Sequence, residues 1–455
     1  MRGSSESGRS ALTSPAAPAG LALPTLPGEL TVERLDNGLT VALLASPQAP
    51  VVTTALWYRA GTRDEAPGHG GEAHFLEHMM FKGSSRFGPG EVDRRTQVLG
   101  GANNAFTSHD ATTYYFQLAA DRWTAALEME ADRMAGLTLG PREVDSERRV
   151  ILEEIAMYED DPWDSLTQAV EKVLYRGHPY GRPVLGRREE LLATGAEALR
   201  AFHRRLYRPD NAVLVVGGDL GRPGEALEAV DRAFGALESG AGRRRVPGAR
   251  TLPSGLVRIT RRKGEVPRLL LSMPAPAVSD PDFPALRLAT AVLGLGRSSR
   301  LFRTLVDERQ VCSWVSTSLT DALDPGAFSA ASEVVPGCEP ERVEDEVLRI
   351  IAALGAEPPS PEELERAREM MLSDWTFGHE RISQQTLTVG SDLTFFDAGW
   401  SEAEIARIAR VGPEDVGRVA ERWLTPRESG VLGWSLPANG TEAEGPTETA
   451  PGAER

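Results

Sequence analysis

Residues 74–85 read HFLEHMMFKGSS, and residues 286–299 read LRLATAVLGLGRSS. Both are apolar segments that close on a turn of small residues, and at a constant offset Leu288, Ala291 and Val292 stand opposite His74, Glu77 and His78. A second pair repeats in the same order. FHRRLYRPDNAVLVVGG (202–218) and VAERWLTPRESGVLGWS (419–435) each run from a helical pattern ending in an aromatic and Leu, through Pro, into a strand pattern. Self-similarity at one long spacing marks a duplicated unit. Two related domains are expected, and the second copy shows this helix when it only packs.

The polar residues of the first copy then need a reason. An α-helix turns about 100° per residue, so His74 and His78 stack on one face with Glu77 beside them. Burying three polar groups without partners is costly. Two imidazoles one turn apart can reach a single ion, and zinc suits neutral nitrogen ligands. A catalytic zinc site takes a third protein ligand and leaves a position open for water, from which Glu77 is placed to take a proton. H-x-x-E-H is the inverted zinc-peptidase signature. The bland alternative is a pair of packing histidines with an ordinary helix glutamate, and a third ligand decides between the two.

That ligand should lie on the apolar face of another helix. VDSERRVILEEIAMYEDDP (144–162) supplies one. Val150, Ile151, Ile155 and Tyr158 are expected to form an apolar stripe with Glu154 inside it, and Glu147 falls two turns earlier on nearly the same face. Glu153 points toward Ser146, Arg149 and Ala156 and reads as a solvated charge. Glu154 is the expected third ligand and Glu147 a carboxylate that orients the site from behind. Glu159-Asp160-Asp161 reads as a helix-ending polar cluster.

Bulk properties narrow the class. At 455 residues the chain exceeds one ordinary core. The formal net charge of −16 argues against nucleic acid or an anionic membrane as partner. Only Cys312 and Cys338 occur, so no disulfide framework or Cys-rich metal site is expected, and a reducing, cytoplasmic setting fits. No apolar run is long enough to span a membrane.

The domain plan reads as a disordered N-terminal tail (1–27), a zinc-binding domain (28–235), a linker (236–255), a related domain without the motif (256–436) and a disordered C-terminal tail (437–455). The acid-poor N-terminal stretch also has the composition of an organelle transit peptide. Asn37-Gly38 between two strand patterns is a hairpin signal. Strands are further expected in VVTTALWYRAG, ANNAFTSHDATTYYFQLA and RPDNAVLVVGGDL, and helices over 121–134, 141–159 and 165–175. Residues 236–255, dense in Gly, Pro and Arg, have little that can pack.

H-F-L-E-H followed downstream by E-R-R-V-I-L-E-E-I resembles the pitrilysin/insulinase family of zinc peptidases. The likeness is to its short two-domain branch, which includes the mitochondrial processing peptidase β-type subunit and bacterial relatives. It spans residues 28–436 and includes GGANNAFTSHDATTYY and SSRLFRTL. The resemblance implies an α/β (α+β) fold of two homologous domains, each a mainly antiparallel sheet packed with helices, forming half of a clam-shell chamber. It implies one zinc per chain on His74, His78 and Glu154, with Glu77 as general base and Glu147 as the supporting acid. Asn104 and Ala105 match a pair on an edge strand that receives the peptide substrate as an added strand. A plain turn residue is the alternative for Asn104.

One departure stands out. The family usually carries Arg and, seven residues on, Tyr in the second domain, and Val306 and Ser313 occupy those places. The expectation is a zinc endopeptidase cleaving short or unfolded peptides, working as the metal-bearing subunit of a heterodimer whose related partner supplies the Arg/Tyr pair. A homodimer, or one in which Arg300 or Arg309 substitutes, is the alternative. A non-catalytic assembly subunit of the same family competes, although such a subunit has no use for the complete His/Glu set. A zinc hydrolase acting on a small molecule is disfavoured by the edge strand and the duplication.

Overall fold

The computed structural model describes residues 23–240, 248–437 and 447–449. The first 22 residues, the middle of the expected linker and most of the expected C-terminal tail lie outside the described residues. Gly38, with φ of 89°, turns the first hairpin: β1 (Glu29–Arg34) pairs antiparallel with β2 (Thr40–Ala45). Then follow β3 (Val51–Tyr58), β4 (Ala102–Thr107), β5 (Thr112–Ala119) and β6 (Ala212–Gly218), completing a six-stranded sheet ordered β1-β2-β6-β3-β5-β4. The second sheet holds β7 (Gly255–Arg262), β8 (Arg268–Pro274), β9 (Cys312–Leu319), β10 (Ala327–Val334), β11 (Ser429–Leu436) and β12 (Thr447–Thr449), ordered β12-β7-β11-β8-β10-β9. Five strands of each sheet match one for one, and the outermost differs in origin, β1 preceding β2 in the chain and β12 following β11; β2 and β6 run parallel, as do β7 and β11, and the remaining pairings are antiparallel. The duplication read from the sequence is a duplication of topology.

Five helices place the site and join the halves: α1 (Glu72–Met79), α2 (Pro141–Asp160), α3 (Pro162–Leu174), α4 (Phe283–Gly294) and α5 (Ile382–Phe395). In β2, Val41 and Leu43 join the core under α1, whereas Ala42 and Leu44 join a second cluster on the opposite face. In β6 the same alternation separates Leu214 and Val216 from Val213 and Val215. Burial on both faces explains why these strands read as unbroken apolar runs.

The cover on the second face comes from the other half. Helix α5 packs on β3 and β6 of the first sheet, with Val389 in that cluster. A Cβ on Gly390 would sit 2.1 Å from Trp57 Nε1, so glycine is what lets the helix lie this close. Reciprocally, α3 of the first half packs on β8 and β11 of the second sheet through Leu166, Val170 and Leu174. A buried polar seam adds to the joint: Arg63 pairs with Asp110 at 3.0 Å and with Asp324 at 2.7 Å, and His178 Nε2 meets Asp324 at 3.0 Å.

The expected tails and linker are more ordered at their margins than composition suggested. Leu23 and Leu26 pack against apolar clusters, and Thr447–Thr449 add a strand beside β7. In the linker the Gly248 N–H donates to Asp324, and the Arg250 guanidinium to the Gly326 carbonyl. Among the described residues no helix is long and apolar enough to cross a membrane.

Candidate metal centre

Helix α1 is short and almost wholly buried, so its start must be held. Gly71 caps it with φ of 89°, and a Cβ there would lie 2.6 Å from the Leu185 carbonyl oxygen. The buried Glu65 carboxylate accepts hydrogen bonds from the Gly71 and Ala73 N–H groups at 3.1 and 2.9 Å. These satisfy two of the donors that a helix N-terminus leaves open. Burial pushes the Glu65 carboxyl up to about 8, against the pull of the two N–H donors. Phe75, Leu76 and Met79 anchor the helix in the core, which leaves the His74–His78 face turned toward α2.

On that face the rings of His74 and His78 lie 4.6 Å apart. Glu154 approaches both, Oε1 at 3.8 Å from His74 Nε2 and Oε2 at 3.6 Å from His78 Nε2. One potential ligand atom from each of the three lies within 4.8 Å of the others. Two imidazoles and one carboxylate make a donor set suited to zinc. Burial, with the neighbouring His78, pushes His74 down to about 3, so its ring is neutral and keeps a lone pair to give. His74 Nδ1 is buried with no hydrogen-bond partner among the described residues.

Glu147, buried on α2, sits behind His78. Its carboxylate meets His78 Nδ1 at 2.8 Å and takes a hydrogen bond from Lys82 Nζ at 2.7 Å. Burial would raise this carboxyl, but the bonds from His78 and Lys82 outweigh it and the net shift is downward. An anion at Nδ1 fixes the tautomer and turns Nε2 toward Glu154. Glu77 is held by the Thr107 hydroxyl, which donates to Oε2. Burial raises its pKa despite that bond and His78, and Glu154 adds to the rise.

The structure thus brings His74, Glu77, His78, Glu147 and Glu154 together. Glu153 is exposed, as its helix face suggested. Val150, expected within the apolar stripe, is 49% exposed. One residue is about 100° of helix, and Val150 falls that far from Ile151. Strand β4 is the free edge of its sheet, with Asn104 exposed and its side-chain oxygen accepting from the Ala105 N–H at 2.9 Å. In the second half, Val306 packs against the core and the Ser313 hydroxyl donates to the Glu333 carbonyl. Arg300 is bound by both oxygens of Glu363, and Arg309 pairs with Glu346 at 3.2 Å, so both proposed substitutes are already engaged.

Three supporting residues escaped the sequence reading. Lys82 stands one turn beyond His78 in the same motif, so helical spacing could have found it. Strand alternation could have placed Thr107 with Asn103 and Ala105. Nothing local announces Glu65, which reaches α1 across a loop.

Residues 40–188 match the family model described as Insulinase (Peptidase family M16), and residues 195–371 match Peptidase M16 inactive domain. An uncharacterised zinc protease of Streptomyces coelicolor is 32% identical over 418 residues, covering 88% of each chain. The chain belongs to the M16 family. An uncharacterised zinc protease of Mycobacterium tuberculosis is 30% identical over 426 residues, covering 91% of this M16 chain and 94% of its own. A protease from Helicobacter pylori superposes with a TM-score of 0.85 at 24% identity, covering 90% of this chain and all 100% of that one. Pitrilysin superposes with a TM-score of 0.76 at 17% identity, and the match covers 93% of this chain but 47% of pitrilysin. The two M16 regions do not coincide with the two sheets, because β6 belongs to the first sheet yet lies within 195–371.

Proposed function

We propose that this M16 chain is a zinc endopeptidase for short or unfolded peptides and the metal-bearing subunit of a two-chain enzyme. The observation that carries the reading is the meeting of His74, His78 and Glu154 around one point with Glu77 on the same helix. Zinc held there would act as a Lewis acid on the scissile carbonyl and on water. Glu77 takes the proton from the attacking water and passes it to the leaving amine, a task its raised pKa strengthens. Glu147 keeps the His78 ring in register, and Thr107 keeps Glu77 from swinging away. The free edge of β4 offers unpaired backbone groups to an extended peptide, which folded domains cannot supply.

The absence of an Arg/Tyr pair at Val306 and Ser313, with Arg300 and Arg309 engaged, favours a partner that donates those groups. Preorganised donors to a developing oxyanion are commonly worth several kcal/mol. The test is to assay cleavage of an unstructured peptide by the purified chain alone and after mixing with a related chain that carries the pair. A gain on mixing is expected, and full activity from the isolated chain with no gain would remove the case for a partner.

A further inference from the structure

Between the two halves lies a cavity of about 670 Å³ that none of His74, Glu77, His78 and Glu154 lines. The tip of the β4–β5 hairpin and the end of α3 form one wall, and the helices Pro361–Gly378, α5 and Trp400–Ile408 form the other. That volume suits a small organic ligand. Tyr175, Trp375, Phe395, Phe396 and Trp400 supply ring surface, with Phe396 and Trp400 stacked at 4.0 Å. Aromatic faces attract organic cations. Among the described residues Arg287 is the only lysine or arginine on the wall, and Asp321 and Glu404 already flank it.

Three carboxylates on three different helices face this space without a cation. Those of Glu171 on α3 and Asp374 on Pro361–Gly378 have neither ion pair nor hydrogen bond among the described residues. Asp392 on α5 is buried, and among the described residues its carboxylate accepts hydrogen bonds from Ser401 alone. Burial alone pushes the Glu171 carboxyl up to about 7, and burial pushes Asp392 up to about 6 against the pull of Ser401. A desolvated carboxylate without a counter-ion is unfavourable, and a bound cation would relieve it. The three do not converge on one point: among the described residues, only the zinc set brings three ligand atoms within reach of a single ion. Separated negative charges around an aromatic wall fit a chain carrying several ammonium groups better than a metal ion.

We propose that this cavity binds an aliphatic polyamine, its ammonium groups meeting Glu171, Asp374 and Asp392 and its methylene chain lying on the aromatic wall. Both halves supply walls, so the occupant would tie them together and raise the melting temperature of the whole chain.

The experiment is calorimetric titration of the full chain with spermidine at physiological salt, paired with thermal melts. Saturable binding of one equivalent and a rise in melting temperature are expected. Glu171→Gln/Asp374→Asn, a nearly isosteric pair of changes, should weaken binding roughly tenfold or more. Asp231→Asn/Glu238→Gln, exposed carboxylates outside the cavity, should leave it unchanged. Lack of saturable binding, or equal binding by the Glu171/Asp374 double variant, overturns the proposal. So does equal binding of magnesium chloride, which would mark a general attraction for cations, or tighter binding of acetyl-lysyl-lysine amide, which would assign the cavity to peptide side chains. If the double variant lowers thermal stability, Asp374→Asn alone, at an exposed position on the rim, makes the same comparison.

Discussion

Helices α1 and α4 occupy equivalent places in the two halves, and at three matched positions only α1 holds titratable side chains. In α4 the positions opposite His74, Glu77 and His78 are Leu288, Ala291 and Val292, each buried in the second core. In α1 the same positions hold two rings and a carboxylate, and the structure spends Glu147, Lys82, Thr107 and Glu154 on them. A helix in this place packs well with apolar residues at these three positions. The trio in α1 is a charge on stability that only a bound ion and a reaction would justify.

The strongest way to break this comparison is to make one helix into the other. His74→Leu/Glu77→Ala/His78→Val should abolish both zinc binding and peptide cleavage, while the metal-free protein melts no lower than metal-free wild type. Elemental analysis and thermal melts in chelator check it, and a collapse of the fold would show that the trio is structural. Next in size is Glu77→Gln, which should keep the metal and lose roughly 10² to 10⁴ in turnover, because an amide cannot accept the proton. Smaller again is Glu147→Gln. Loss of the anion behind His78 should weaken zinc affinity about 10- to 100-fold, read by competition with a chelator. Smallest is Glu65→Ala, which strips the start of α1 of two hydrogen bonds. Its expected cost is about 1–3 kcal/mol of stability in a denaturant melt.

What the sequence disclosed follows from what is local. The Asn37-Gly38 hairpin, the strands over 51–58 and 212–218, and the facing of Glu154, with Glu153 exposed, toward His74 and His78 all rest on turn chemistry or on the period of a single element. The repeat was legible because in both copies the apolar segment is followed by glycine and a Ser-Ser pair. Val150 was misplaced because periodicity gives an angle and not the width of the neighbour that covers it. The exchange of α3 and α5 between sheets was invisible, since each is an amphipathic helix that could have covered its own half. Glu65 was hidden for a similar reason: its partners are backbone N–H groups, which leave no trace in residue identity.

That exchange has a consequence in time. A chain made from its N-terminus completes the first sheet at Gly218, while α5 begins only at Ile382. Through that interval Ala42, Leu44, Trp57, Val213 and Val215 form an apolar sheet face whose cover does not yet exist. The second sheet never waits, because α3 is already present when β8 and β11 arrive. A first half expressed alone should therefore be sticky and prone to aggregate, and the newborn chain has reason to engage a chaperone before its last helices emerge.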